Sequence, residues 1–211
     1  MHTFKQYISE QRQVIELIEK QIIIGKGKKY GQVVFMAGGA GSGKGFAVKN
    51  FIEGEKFKVR DPDEMKKAFL RLAELKNKYP DIRGLDLRNP KDAFKLHEWI
   101  KKKRVKERTL NLLLQDARRG ILPNILIDTT MQNKSKIQEA LPALIEAGYD
   151  PKNVHIVWVL TDYAVAIKQN RDPERGRIVP DDIMLQTHEG AASTMYKFIK
   201  SGTPRGINGG V

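Results

Sequence analysis

Cysteine is absent from all 211 residues. Its absence excludes a disulfide scaffold, cysteine-ligated zinc, iron–sulfur clusters and a thiol nucleophile. No apolar run approaches the roughly 20 residues needed to span a bilayer. Lys5, Glu10 and Arg12 interrupt the N-terminal apolar pattern, so it holds no signal-peptide core. His2, His97 and His188 show no ligand spacing with one another, and no protein-bound zinc is expected. There is no internal repeat and no low-complexity tract. Acidic residues are in deficit, 25 against 38 Lys+Arg, and the formal net charge is +13. Such a chain attracts anions at a distance: phosphates, nucleic acid or acidic lipid headgroups. The expectation is a soluble, cytoplasmic protein that does not enter a membrane.

What is present reads as alternating strands and helices. Apolar residues at helical spacing make residues 3–24 an amphipathic helix, closed by a basic turn, Gly25 to Gly31. Gln32–Ala37, Phe57–Arg60, Asn124–Asp128 and Val154–Leu160 read as strands, with His155 and Trp158 as core positions in the last. Helices are expected from Lys44 to about Ile52, from Pro62 to about Lys78, over about 91–119, over 134–147, after Asp162, and over about 181–200. Strands separated by helices imply crossover connections, hence an α/β fold: three layers around a mostly parallel central sheet. Four clear strands are few for such a sheet, and Arg205 to Val211 could supply a fifth. The expected organisation is an N-terminal helix and basic turn over 1–30, one main domain over 31–200, and a Gly-rich tail over 201–211. That tail is flexible unless it pairs at a sheet edge.

Gly38-Gly39-Ala40-Gly41-Ser42-Gly43-Lys44 fits G-x-x-x-x-G-K, the P-loop pattern, between the first strand and its helix. Glycines let successive N–H groups curl around phosphate oxygens, and the helix start adds its positive end. Lys44 then reaches the β- and γ-phosphates as a point charge. The next residue is Gly45, where the pattern expects the Ser or Thr that ligates Mg²⁺. The ion must then rely on water, on Ser42 or on a carboxylate. Asp128, ending the third strand, is placed either for that or as a helix cap.

Two further features bear on the chemistry. The chain lacks the Asn-Lys-x-Asp of guanine readers and the apolar tetrad with Asp-Glu of helicases and transporters. Instead Asp61 and Asp63 close the second strand, about 20 residues after Lys44. From spacing alone they are either a helix cap with a first-turn acid, or carboxylates that face a γ-phosphate and accept a hydroxyl proton. The stretch 171–180, with Arg171, Arg175 and Arg177, reads as an arginine-rich lid or as a solvated loop.

With these residues in order, the chain resembles zeta-toxin-like kinases, relatives of polynucleotide and small-metabolite P-loop kinases. The matching pieces are GGAGSGK, RDPDEMKKAF, ILIDTTMQ, HIVWVLTDYAVAIKQNR and RIVP, spanning about 33–185. The resemblance implies an ATP- and Mg²⁺-dependent phosphotransferase with the P-loop kinase fold. It implies Lys44 as the phosphate lysine and Asp63 as the base for the acceptor hydroxyl. Thr130 falls where that family holds its acceptor, and Arg171 and Arg177 match its lid arginines. Gly45 departs from the pattern. The family's acceptor-binding glutamate has no clear counterpart, Glu107 being the nearest.

The segment 91–119 carries ten Lys and Arg residues against four acids, with Lys101 to Arg104 consecutive. It is a solvated face or a patch that tracks nucleic-acid phosphates. The latter fits phage-type kinases that phosphorylate hydroxymethylated pyrimidines in DNA, which share this scaffold; a phage-encoded chain would work in host cytoplasm. The competing readings are a zeta-toxin-like kinase of a nucleotide sugar, whose basic surface serves an acidic protein partner, and a non-catalytic nucleotide-dependent binder.

Overall fold

A computed structural model of the chain describes residues 30–52, 56–76, 78–172 and 176–211. The helix expected over 3–24 lies outside them. Four strands, β1 (Val33–Ala37), β2 (Lys58–Arg60), β3 (Ile125–Asp128) and β4 (Val154–Trp158), form one sheet in the order β2-β3-β1-β4. Every pair is parallel. Alternate residues of a strand face opposite sides, and both sides here are covered. Val33 and Phe35 join Ile125, Ile127, Leu144 and Met195 on one face. Val34 and Met36 join Leu126, Ala47 and Ile52 on the other. Continuous apolar strand sequences are the consequence, and the three layers follow.

Helix α1 (Lys44–Asn50) follows β1, and α2 (Pro62–Leu75) follows β2. After a 3₁₀ turn at Pro80–Ile82 come α3 (Pro90–Lys102) and α4 (Val105–Leu113). Between β3 and β4 lie α5 (Ser135–Gln138) and α6 (Leu141–Glu146). Helices α7 (Tyr163–Asn170) and α8 (Asp181–Ser201) complete the order.

The single helix expected over 91–119 is not formed. It breaks at Lys103-Arg104, where Arg104 takes φ 50, and ends in a separate 3₁₀ turn at Ala117–Arg119. The buried residues explain the break. Leu96, Ile100 and Val105 enter a small core with Ala73, Ile82 and Leu87, whereas Leu110 and Leu114 enter the core beneath the sheet. A straight helix cannot aim one stripe at two cores. Four consecutive cations at Lys101–Arg104 also repel one another along a helix.

The helix expected over 134–147 likewise divides. Pro142 has no N–H for the Gln138 carbonyl, and its ring excludes that carbonyl from an unbroken helix. The glycine-rich tail packs rather than remaining free. Ile207 is buried in the main core, and Gly210 bridges His155 in parallel on the outer edge of β4. The contact is a single bridge and not a fifth strand, and the sheet has four strands among the described residues. No helix among the described residues is long and apolar enough to cross a membrane.

Candidate active site

The C-terminal ends of the four parallel strands share one edge, the edge where α/β sheets hold ligands. A pocket of about 590 Å³ opens there, lined by the loop Ala40–Gly45, Asp61, Asp63, Asp128, Thr130 and Arg177 among others. The structure thus brings Lys44, Asp63, Asp128, Thr130 and Arg177 to one cavity, though they span more than half the chain.

The loop after β1 is held from several sides. Gly38, Gly41 and Gly43 take positive φ. Gly38 N–H donates to Thr130 O at 3.2 Å, tying the loop to the segment after β3. Thr161 Oγ1 donates to Ser42 O at 2.5 Å from the end of β4. Ala40 N–H donates to Thr187 Oγ1 at 3.1 Å, and His188 Nε2 lies 2.8 Å from Ala40 O. A Cβ on Gly39 would come within 2.1 Å of the His188 ring, which would have to shift to admit it. Tyr163 packs against that ring in an edge-to-face arrangement, centroids 5.4 Å apart.

Lys44 folds over its own loop, donating to Gly38 O at 2.9 Å and Gly39 O at 3.2 Å. Its Nζ is 3.9 Å from Asp128 Oδ1. Burial holds the Lys44 ammonium below the ordinary lysine value, with Asp128 the strongest influence pulling it back. Burial pushes the Asp128 carboxyl up to about 6, against the opposing pull of Lys44. Asp128 Oδ1 and Ser42 Oγ are buried without a hydrogen-bond partner among the described residues. In native proteins such atoms are commonly met by an ordered water or an ion.

Asp61 and Asp63 both line the pocket but have different partners. Asp61 caps α2, accepting from Asp63 N–H at 2.7 Å and Glu64 N–H at 3.4 Å, with Pro62 at the first helical position. The side chain of Asp63 is turned to the pocket and pairs with Arg177 Nη1 at 2.6 Å and Lys66 Nζ at 3.5 Å.

Residues 173–175 of the expected lid lie outside the described residues. The ends of that loop are joined by Asn170, fully buried, whose Nδ2 donates to Val179 O at 2.7 Å and whose Oδ1 accepts from Val179 N–H at 3.0 Å. Arg171 does not line the pocket. It is exposed and pairs with Asp181 at 2.7 Å. Glu107 lies at a second cavity.

Sequence reasoning missed Asn170, Thr187 and His188. Thr187 and His188 meet Ala40, 147 and 148 residues away, Asn170 meets Val179 nine residues on, and no spacing pattern announces these pairs.

A Cβ on Gly45 would project into open space, and Gly45 lines a smaller cavity together with Asp61 and Asp128. Magnesium commonly takes one or two carboxylates together with substrate phosphates, and the unpartnered Asp128 oxygen fits that donor set. Among the described residues no group of three or more His, Cys, Asp or Glu gathers to hold a metal alone.

The zeta toxin family matches the chain over residues 17–208. Among solved structures, one from the PezAT chromosomal toxin–antitoxin system of Streptococcus pneumoniae is 15% identical, over 80% of this chain and 62% of its own, with a TM-score of 0.45. A chain of the Pnkp1/Rnl/Hen1 RNA repair complex is 17% identical, over 82% of this chain and 48% of its own, with a TM-score of 0.48. Deoxyadenosine kinase from M. mycoides with bound dATP is 15% identical, over 81% of this chain and 84% of its own, with a TM-score of 0.41. The chain spans between about half and three fifths of the first two. No curated protein matches it.

Proposed function

The chain belongs to the zeta toxin family of P-loop kinases, and from that premise we propose that it moves the γ-phosphoryl group of ATP to a hydroxyl carried on nucleic acid. The observation that carries the transfer is the convergence of Lys44, Asp63 and Arg177 on one pocket with the P-loop. Loop N–H groups and Lys44 hold the β- and γ-phosphates, which draws Lys44 Nζ from the carbonyls of Gly38 and Gly39. Thr130 and Asp63 line the side from which an acceptor alcohol enters.

In the transfer, the acceptor oxygen forms its bond to the γ-phosphorus as the bond to the β-phosphate oxygen breaks. The acceptor proton goes to a carboxylate oxygen of Asp63, and ADP leaves. Arg177 Nη1 pairs with that carboxylate at 2.6 Å. Its exchange onto the phosphates frees Asp63 to act as base and places a guanidinium where charge develops. Arg171 joins it only by leaving Asp181. Asp128 and Ser42 are the residues that would hold Mg²⁺. The ion supplies neutralisation of phosphate charge.

The nucleic-acid acceptor, with hydroxymethylated pyrimidine in DNA as its specific form, rests on the +13 charge and the basic segment 91–119. A second reading, a nucleotide sugar or other small metabolite as in zeta toxins, is favoured by the break at Arg104. The basic residues are split over α3 and α4 and do not form one continuous rod along a backbone.

Incubation with γ-labelled ATP and Mg²⁺, together with hydroxymethyluracil-containing DNA and a small-metabolite extract, decides between the two. Label in the polymer is the expected result, and label confined to the small-molecule pool selects the second reading. Asp63→Asn should reduce transfer by at least about 100-fold while sparing ATP binding. ATP bound with no label transferred anywhere would make the chain a nucleotide-dependent binder instead.

A further inference from the structure

The segment after β3 lines the pocket through Thr129 and Thr130 and then makes a strained turn. Met131 takes φ 54, in the left-handed region that L side chains enter at a cost. Such a residue persists where its surroundings over-determine it. On one side the surroundings are the main core, where the Met131 side chain is fully buried with Ile127 and Ile137. Met131 N–H donates to Thr129 Oγ1 at 3.2 Å.

On the other side stands α8. Thr194 is buried, and its Oγ1 donates to Gln132 O at 3.2 Å. Gly190 lies four residues earlier on the same helix face. A Cβ there would come 2.5 Å from Gln132 Cγ and 2.7 Å from Gln132 O. Glycine inside a helix costs stability relative to alanine. At this position its missing Cβ is what admits the Gln132 backbone. Neither Gly190 nor Thr194 lines the pocket.

The same helix holds the phosphate loop, through Thr187 and His188 at Ala40. Helix α8 runs unbroken over Asp181–Ser201, so its holds at Thr187 and Thr194 are spaced by seven residues, about 10 Å along one axis. Gly38 N–H also donates to Thr130 O at 3.2 Å, so the two segments touch as well as share a support.

We infer that Thr194 and Gly190 are positioning residues for the transfer: by seating Gln132 they hold the left-handed turn at Met131, and with it the placement of Thr130 and the acceptor hydroxyl relative to the γ-phosphate. This rests on the phosphoryl-transfer reading above and deepens it. The phosphate loop keeps its own holds at Thr187, His188 and Thr161. Losing the seat of Gln132 therefore misplaces the acceptor and leaves the donor bound.

The test uses the full chain and two variants. Thr194→Val keeps the shape and removes the hydroxyl donor. Gly190→Ala drives a methyl group against Gln132. A fluorescent ATP analogue reads the donor side. Transfer from γ-labelled ATP is measured to whichever of hydroxymethyluracil-containing DNA and the small-metabolite extract the wild type labels. The expected result for both variants is a fall of about tenfold or more in kcat/KM for the acceptor, with KM for ATP and affinity for the analogue within about twofold of wild type. Thr194→Ser restores the donor and should transfer within about threefold of wild type. If Gly190→Ala does not fold, the contrast between Thr194→Val and Thr194→Ser decides alone. Transfer at the wild-type rate by Thr194→Val, an equal loss of ATP affinity and transfer, or a Thr194→Ser variant as impaired as Thr194→Val overturns the inference. Failure of the wild type to bind the ATP analogue or to label either acceptor instead overturns the phosphoryl-transfer reading.

Discussion

Replacing Asp128 by asparagine should make this protein more stable and less able to use its nucleotide. The carboxylate is buried, one oxygen lacks a hydrogen bond, and Lys44 at 3.9 Å compensates it only in part. Burial therefore raises the carboxyl to about 6 in the folded chain, whereas an unfolded aspartate titrates near 4. Between those two pH values the native state holds the extra proton, so stability is lost as pH rises through the window and stays lost above it. A separation of roughly two pH units, at about 1.4 kcal/mol each, sets a ceiling of about 3 kcal/mol.

Asparagine recovers less than the ceiling, because its amide also needs partners and Lys44 loses a neighbour. A gain of about 1–3 kcal/mol at pH near 8 is expected, falling to about half that near pH 5. For a chain of this length, that gain corresponds to a rise in Tm of about 3–9 °C. Thermal melts followed by circular dichroism, without nucleotide or divalent cation, measure it directly. The same variant should need more Mg²⁺ for ATP binding. A variant that melts at or below wild type at pH 8, or whose advantage is equal at pH 5 and pH 8, would refute the claim that Asp128 is a buried, undercompensated charge.

Other perturbations address other parts of the site. Gly39→Ala should cost stability and abolish binding of a fluorescent ATP analogue, because the new Cβ meets the His188 ring; adding His188→Ala should restore part of the binding, and no restoration would mean the collision lies elsewhere. Gly45→Ser enters open space, so it should leave stability unchanged or raise it by up to about 1 kcal/mol. It should also lower the Mg²⁺ concentration needed for ATP binding several-fold, and an unaltered requirement in a titration would exclude the metal-side hydroxyl role. Ile207→Ala should cost about 2–4 kcal/mol in urea denaturation, since Ile207 is in the main core. A tail that does no structural work would show no change.

Features decided within a few residues were legible in the sequence. The apolar strand runs gave a sheet with both faces covered, and the glycine-rich loop with Lys44 lies where the strand-to-helix pattern put it. The Asp-Pro-Asp turn is another local case, with cap chemistry and Pro62 fixing the start of α2. Features decided by a second partner were not. Periodicity carried the basic segment across Arg104 as one helix, because nothing local says that Leu96 and Leu110 serve different cores. Arg171 and Arg177 look equivalent in a run of charges. Yet Arg177 pairs with Asp63 and Arg171 with Asp181, partners that lie outside the run.

Helix α8 shows why the site depends on contacts that sequence spacing conceals. Near its start, Asp181 holds Arg171 at the root of the arginine loop. One and a half turns on, Thr187 and His188 grip Ala40 and pack against Gly39 in the P-loop. Further along, Thr194 Oγ1 donates to Gln132 O at 3.2 Å. Gly190 approaches the same residue so closely that a Cβ would lie 2.7 Å from that carbonyl oxygen. Gln132 sits in the segment after β3 that carries Thr130. One helix therefore braces the phosphate loop, the Thr130 segment and the arginine loop, and Met195 and Phe198 anchor it in the core beneath the sheet. Reacting groups must be held to within fractions of an ångström for transfer, and loops alone do not hold them so. In this chain α8 supplies such contacts to the loop after β1, to the segment after β3 and to Arg171.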